Sequence, residues 1–391
     1  MNKKKVIVVL VTGAVLGFLS FVGAASPTAS ALPGNQELDR QLLDLLKSKS
    51  YGRLDAQMST LVKNYETDFK RETDVDLAVD VFSRPLPVLE PLLTEWITQW
   101  PRSYVAYLAR GAYYIRIGGI KRGTKVYNET TKQQLEGMTL YFQKAWKDLD
   151  QAYALNPRLL HALCCKMTIL MSYKERDQMR LLRNKALEVN PYSVTARWSY
   201  INTLLPRWGG SIREMTLEIE AARPYHAKNP ALKILEGRVS CEYGDQAFFN
   251  DDYPNAIGLY NESLRYGNAY QYNFQRGFAY SYSDQYDLSN KDLDLAIQLR
   301  PNSPRAYYVR GFNRGQQGKL EEAIKGLDRA LEDNPYDDQV WNSRGLVYLR
   351  LGKADLALKS FEKAVALSPN EVQYLRNREK AKNRLGSSTS N

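Results

Sequence analysis

The sequence predicts an all-α fold in which helix-turn-helix units stack into a solenoid, and three features carry the prediction. A period of 34 residues runs through the last third of the chain. Apolar residues keep helical spacing where that period fades, and Gly and Pro stand where paired helices must turn and stop. In the clearest unit Gly311, Gly318, Ala323, Leu327, Ala330 and Pro335 recur 34 residues later as Gly345, Gly352, Ala357, Phe361, Ala364 and Pro369. One unit earlier the same positions read Gly277, Asp284, Ser289, Leu293, Ala296 and Pro301. Gly311 and Gly345 lie inside a first helix, where Gly costs roughly 1 kcal/mol relative to Ala, so close approach of the second helix must offset that cost. Gly318 and Gly352 sit at the turn between the helices. Asn334-Pro335 and Ser368-Pro369 stop the second helix, because the residue before Pro is pushed out of helical geometry.

In chain order, Lys3, Lys4 and Lys5 precede an uncharged apolar stretch from Val6 to Ala25, and Ala29 and Ala31 supply the small residues of a cleavage site. Residues 1–31 therefore read as an export signal, removed before Leu32 or retained as a membrane anchor. Residues 32–100 show helical spacing without the period, in Leu38, Leu42, Leu43, Leu45 and Leu46 and again from Leu86 to Ile97, and read as an N-terminal helical cap. Residues 101–230 read as a divergent helical repeat domain, since Asn156-Pro157 and Asn190-Pro191 are themselves 34 apart. Gly111 and Ala145 stand too far apart for a regular unit, which places an insert near 115–139, expected as a loop on one face. Residues 231–369 form the regular array. Residues 370–391 give a capping helix, carrying Arg376, Arg378, Lys380, Lys382 and Arg384, and a tail.

The recurring Gly, Ala and Pro pattern resembles the tetratricopeptide repeat (TPR), which implies a right-handed TPR-type α-solenoid with a concave groove lined by first helices. Further upstream, Trp100-Pro101-Arg102-Ser103-Tyr104, Ala109-Arg110-Gly111, Gly137-Met138 with Tyr141-Phe142, and Pro206-Arg207-Trp208-Gly209-Gly210-Ser211 with Met215 resemble an uncharacterised bacterial family that joins a helical domain of unknown function to such repeats. That family implies no activity. By analogy with the tetratricopeptide unit, the groove-facing residues are Gln271, Phe274, Phe278 and Tyr282, then Arg305, Tyr308, Phe312 and Gln316, then Gln339, Asn342, Leu346 and Arg350. Aromatic anchors and donors in one row suit an extended peptide or a partner helix. A second candidate is the loop Trp208, Gly209, Gly210 and Ser211, read as a helix break with a Ser cap or as an anion-holding ligand loop.

The chain has 391 residues, 44% of them hydrophobic and 25% charged, enough for a real core. Two His (His161, His226) and three Cys (Cys164, Cys165, Cys241) leave little for a metal site, a catalytic triad or a disulfide framework. Adjacent Cys164 and Cys165 read as buried hydrophobes, and no phosphate loop or dinucleotide fingerprint is present. No catalytic residue, metal or cofactor is therefore expected, and the chain reads as noncatalytic. Net charge is +11, of which the three N-terminal lysines supply three, leaving +8. Export argues against nucleic acid as the counterpart and points to protein partners or anionic envelope polymers. The expected function is an exported protein-binding scaffold or assembly factor in the periplasm or extracytoplasmic envelope, touching a membrane only through its N-terminal segment if that is retained. The alternatives are a binding module for anionic envelope polymers or a membrane surface, and an envelope glycan-active enzyme, which would need a catalytic Glu in a cleft.

Overall fold

The computed structural model describes residues 34–123 and 130–388, and the segment read as an export signal lies outside them. Nineteen α-helices and no strand occur among the described residues. No described helix is long and apolar enough to cross a membrane. The helices are α1 (Gly34–Lys47), α2 (Tyr51–Thr67), α3 (Glu72–Phe82), α4 (Leu89–Gln99), α5 (Tyr104–Arg122), α6 (Lys132–Leu155), α7 (Leu160–Tyr173), α8 (Arg176–Val189), α9 (Val194–Thr203) and α10 (Ile212–Glu220). They continue with α11 (Gly237–Phe249), α12 (Tyr253–Leu264), α13 (Tyr270–Tyr282), α14 (Tyr286–Leu299), α15 (Pro304–Gln316), α16 (Leu320–Asp333), α17 (Asp338–Arg350), α18 (Ala354–Leu367) and α19 (Val372–Ser388). The chain divides into two compact units. The first runs to Tyr272 and includes Gln298–Arg300; the second holds Asn273–Ile297 and the residues from Pro301 onward. The division thus falls inside α13, beyond the 230/231 boundary suggested by the pattern of repeats.

In the second unit α15 and α16, then α17 and α18, pair as helix hairpins. Their close approach has the cause the period implied: a Cβ at Gly345 would lie 2.5 Å from the Phe361 ring. The Arg-Gly pairs have a structural role, because each arginine is held by a carboxylate on a second helix. Arg110 meets Asp148 at 2.7 Å in the first unit; Arg276 meets Asp292, Arg310 meets Asp294 and Arg344 meets Asp328, each at 2.6 Å, in the second.

The first unit departs from one expectation. The insert near 115–139 is mostly helix: α5 and α6 run 19 and 24 residues, against 13 and 14 in the regular hairpin of α15 and α16. The added turns keep packing because Gly118 admits Phe142, whose ring would lie 2.5 Å from a Cβ at that position. Thr131 and Gln134 form a capping box that restarts α6. Residues 32–100, read as an N-terminal helical cap, supply α1 to α4. Buried residues of α1 to α4, from Leu42 to Ile97, belong to the same hydrophobic cluster as those of α5 to α9. In α3, nine of eleven residues are buried, as a helix with apolar residues on every side requires.

Candidate functional site

The buried helix α3 carries three acids one turn apart, Glu72, Asp76 and Asp80, so all three share a face. That face lies against the repeat helices of the first unit. Glu72 takes the place of a solvent cap at the start of α9: the Ser193 hydroxyl donates to its carboxylate, as do the backbone amides of Val194 at 2.8 Å and Thr195 at 3.2 Å. Asp76 accepts from the Thr195 hydroxyl at 2.6 Å and stands 3.5 Å from Nε2 of His161 on α7. Asp80 receives Nε of Arg300 at 2.8 Å in a two-toothed pair that joins residues 220 apart. Just beyond α3, Arg84 donates to both carboxylate oxygens of Asp39, at 2.8 and 2.6 Å.

Burial sets the protonation of this cluster. Desolvation pushes Glu72 up to about 7 despite its amide and hydroxyl donors, and Asp76 is pushed well up by desolvation and by the neighbouring Glu72. His161, also fully buried, is pushed down to about 3 by desolvation. The neutral imidazole and a protonated carboxyl are the forms this interior favours. Cys164, Cys165 and Cys241 are buried free thiols, and desolvation raises each of them, away from the thiolate form that reacts or binds metal. Among the described residues no group of three or more His, Cys, Asp or Glu could hold a metal ion.

The groove positions named from the period fall four, seven, eleven and fifteen residues after Pro301 or Pro335 in two units and after Gly267 in the unit before them. Counting in the same way from Pro157 gives His161, Cys164 and Thr168, and from Pro191 gives Thr195, Trp198 and Asn202. His161 and Thr195, at equivalent positions of successive first helices, are the two residues that face Asp76. At these two positions the recurring row of the first unit meets the chain's own α3. Sequence reasoning missed this occupant. Its signal was the run Glu72 to Phe82, where Glu72, Asp76 and Asp80 recur at helical spacing in a largely apolar helix.

In the second unit the same row opens progressively. Phe274, Phe278, Tyr308 and Asn342 are buried; Tyr282, Arg305, Phe312, Gln339 and Leu346 are half-buried; Gln316 and Arg350 are exposed, and Gln271, which belongs to the first unit, is half-buried. Phe274 and Phe278 stack at 5.8 Å, Phe278 meets Tyr282 edge-on at 4.9 Å, and the Arg305 guanidinium lies 5.6 Å from the Phe274 ring. Some row members tie one first helix to the next. Asn342 accepts from Asn377 at 2.8 Å, the Tyr308 and Ser343 hydroxyls are 3.3 Å apart, and Arg350 donates to the carbonyl of Gly315. Counting from Pro369 extends the row onto α19 as Gln373, Arg376, Lys380 and Arg384, the last three exposed. A shallow surface groove lined by Leu375, Arg376, Glu379, Lys380, Asn383 and Arg384 runs there.

The loop Trp208-Gly209-Gly210-Ser211 is occupied by its own contacts. Ser211 caps α10 by accepting from the Glu214 amide at 3.2 Å, and Arg176 donates to the Gly209 carbonyl at 2.7 Å and pairs with Glu214. Trp208 packs against the hydrophobic cluster of the first unit. The negative charge of Glu214 in the first turn of α10 complements the helix dipole, which is the task an anion would have there.

Residues 313–372 match the tetratricopeptide repeat family. No curated protein matches the sequence significantly. Solved structures with similarity include a crystal structure of MamA (23% identity, TM-score 0.36, covering 38% of this chain and 82% of that one). A second is YrrB, described as a TPR protein with an unusual peptide-binding site (17% identity, TM-score 0.32, 59% and 97%). A third is the first TPR domain of Spaghetti bound to an HSP90 peptide (20% identity, TM-score 0.29, 30% and 93%). Six positions recurring at a spacing of 34 residues, Gly-mediated hairpins and a family match that spans α16 to α18 identify residues 313–372 as tetratricopeptide repeats.

Proposed function

We propose that the chain is an exported, noncatalytic protein-binding scaffold or assembly factor, and that its working surface is the row of first-helix residues in the second unit. The observation that carries this reading is the contrast within one row: His161 and Thr195 meet the chain's own helix, whereas Phe312, Gln316, Leu346 and Arg350 retain exposed surface. A row that holds a helix inside the molecule has the shape to hold one from outside. The +8 charge left after removal of an export signal supports contact with anionic envelope polymers as the second reading.

The test is site-specific photocrosslinking in envelope extracts, with the photoreactive residue at Phe312 in one variant and at exposed Lys359 on α18 in the other. A partner captured from position 312 and not from Lys359, and lost when Leu346→Ala and Gln316→Ala are added to the position-312 variant, supports the row. Equal capture from both positions sinks it. Tyr308 and Asn342 are left intact because their hydrogen bonds tie successive helices together.

A further inference from the structure

Resting on that reading of the row, we infer that its occupant is a helix from a partner protein that presents side-chain carboxylates one turn apart, the chemistry the chain itself places in the first unit. The molecule supplies its own precedent. In the first unit the residues four after Pro157 and Pro191 are His161 and Thr195, and both face a carboxylate of α3. In the second unit the residues four after Pro301, Pro335 and Pro369 are Arg305, Gln339 and Gln373, all capable of donating to a carboxylate.

Charge strengthens toward the open end of the row. On α19 Arg376 and Lys380 lie one turn apart and are exposed, and neither forms an ion pair among the described residues. The one acid beside them, Glu379, is taken by Arg378 at 3.4 Å and Lys382 at 3.1 Å. The remaining acids near the row are used by the fold: Asp337 accepts from the Val340 amide, Asp338 from the Ser368 hydroxyl and Glu371 from the Gln373 amide. Arg384 is likewise used, donating to the Leu349 carbonyl at 2.8 Å. Arg376 and Lys380 can therefore meet a carboxylate at positions i and i+4 of a docked helix, while Leu375, Leu346 and Phe312 take its apolar side.

The probe is a labelled synthetic peptide with the sequence of residues 68–86, which carries Glu72, Asp76 and Asp80, titrated by fluorescence anisotropy into the full chain. Its control replaces those three acids by Gln and Asn. We expect the acidic peptide to bind at least tenfold tighter than the control, to weaken steeply with salt, and to lose at least tenfold in affinity against the Arg376→Glu, Lys380→Glu variant. The exposed positions of these two residues keep that variant folded, which circular dichroism checks. Equal affinity of the two peptides, binding indifferent to the charge reversal, or no binding by either peptide overturns the inference. If crosslinking at Phe312 captures a partner that the charge-reversed variant retains, the row survives as the working surface and only the acidic character of the occupant falls.

Discussion

The two units use one repeat position in opposite ways. In the first, the row meets a helix of the same chain, where Asp76 accepts from Thr195 and stands 3.5 Å from His161. In the second, the row passes from buried aromatics at Phe274 and Phe278 to exposed cations at Arg376 and Lys380. The contrast teaches that a repeat face is not by itself a binding site. What occupies it decides, and in the first unit the occupant arrived with the chain.

The sharpest way to break this comparison is to remove one partner of a buried pair. Asp80→Ala leaves the Arg300 guanidinium in the interior without its carboxylate, and such unpaired charges cost about 3–5 kcal/mol, so urea unfolding should show a loss of that size. A loss under about 1 kcal/mol would mean that the α3 contact is peripheral.

The helix spacing of the long hairpin is next. Gly118→Ala puts a Cβ where the Phe142 ring lies 2.5 Å away, and overpacking of this kind costs about 1–3 kcal/mol. Thermal unfolding should register it, and an unchanged midpoint would show that α5 and α6 have slack at this level.

A smaller effect should appear in the pH dependence. Glu72 is raised to about 7 from an ordinary carboxylate value, so the folded state binds its proton more tightly than the unfolded state does. Its contribution is then full below the unfolded value and is lost as pH rises toward 7. His161 works in the opposite sense: lowered to about 3, it costs stability as pH falls below the unfolded imidazole value. Glu72→Gln should remove part of the decline between pH 5 and pH 7, on the order of 1–2 kcal/mol, while leaving the acid-side loss in place. Parallel pH profiles for the two proteins would show that Glu72 does not titrate in that window.

The smallest effect on stability belongs to the open row. Arg376→Ala with Lys380→Ala should change unfolding free energy by less than about 0.5 kcal/mol, as exposed substitutions usually do, and should still weaken partner capture. Destabilisation instead would make these residues structural and bring the two units closer in kind.

Much of the second unit was legible from residues because its rules are local. Close approach at Gly345 and Pro at the unit ends follow from the period. The first unit was less legible, since two of its features depend on residues far apart in sequence. The insert near 115–139 read as a loop, and only the Phe142 and Lys121 side chains facing Gly118 and Gly137 show how its helices pack. The role of the acids of α3 emerges only where Thr195, His161 and Arg300 come together around them.

The sequence by itself determined the all-α class, the hairpin pitch and the row of recurring positions, because helix periodicity, turn chemistry and close packing act over a few residues to one repeat. Tertiary structure alone decided which stretch of that row is filled and which is open. Residues separated by 119 and 220 positions, Asp76 with Thr195 and Asp80 with Arg300, meet only after the repeats have stacked, and the cost of burying their charges is set by that meeting.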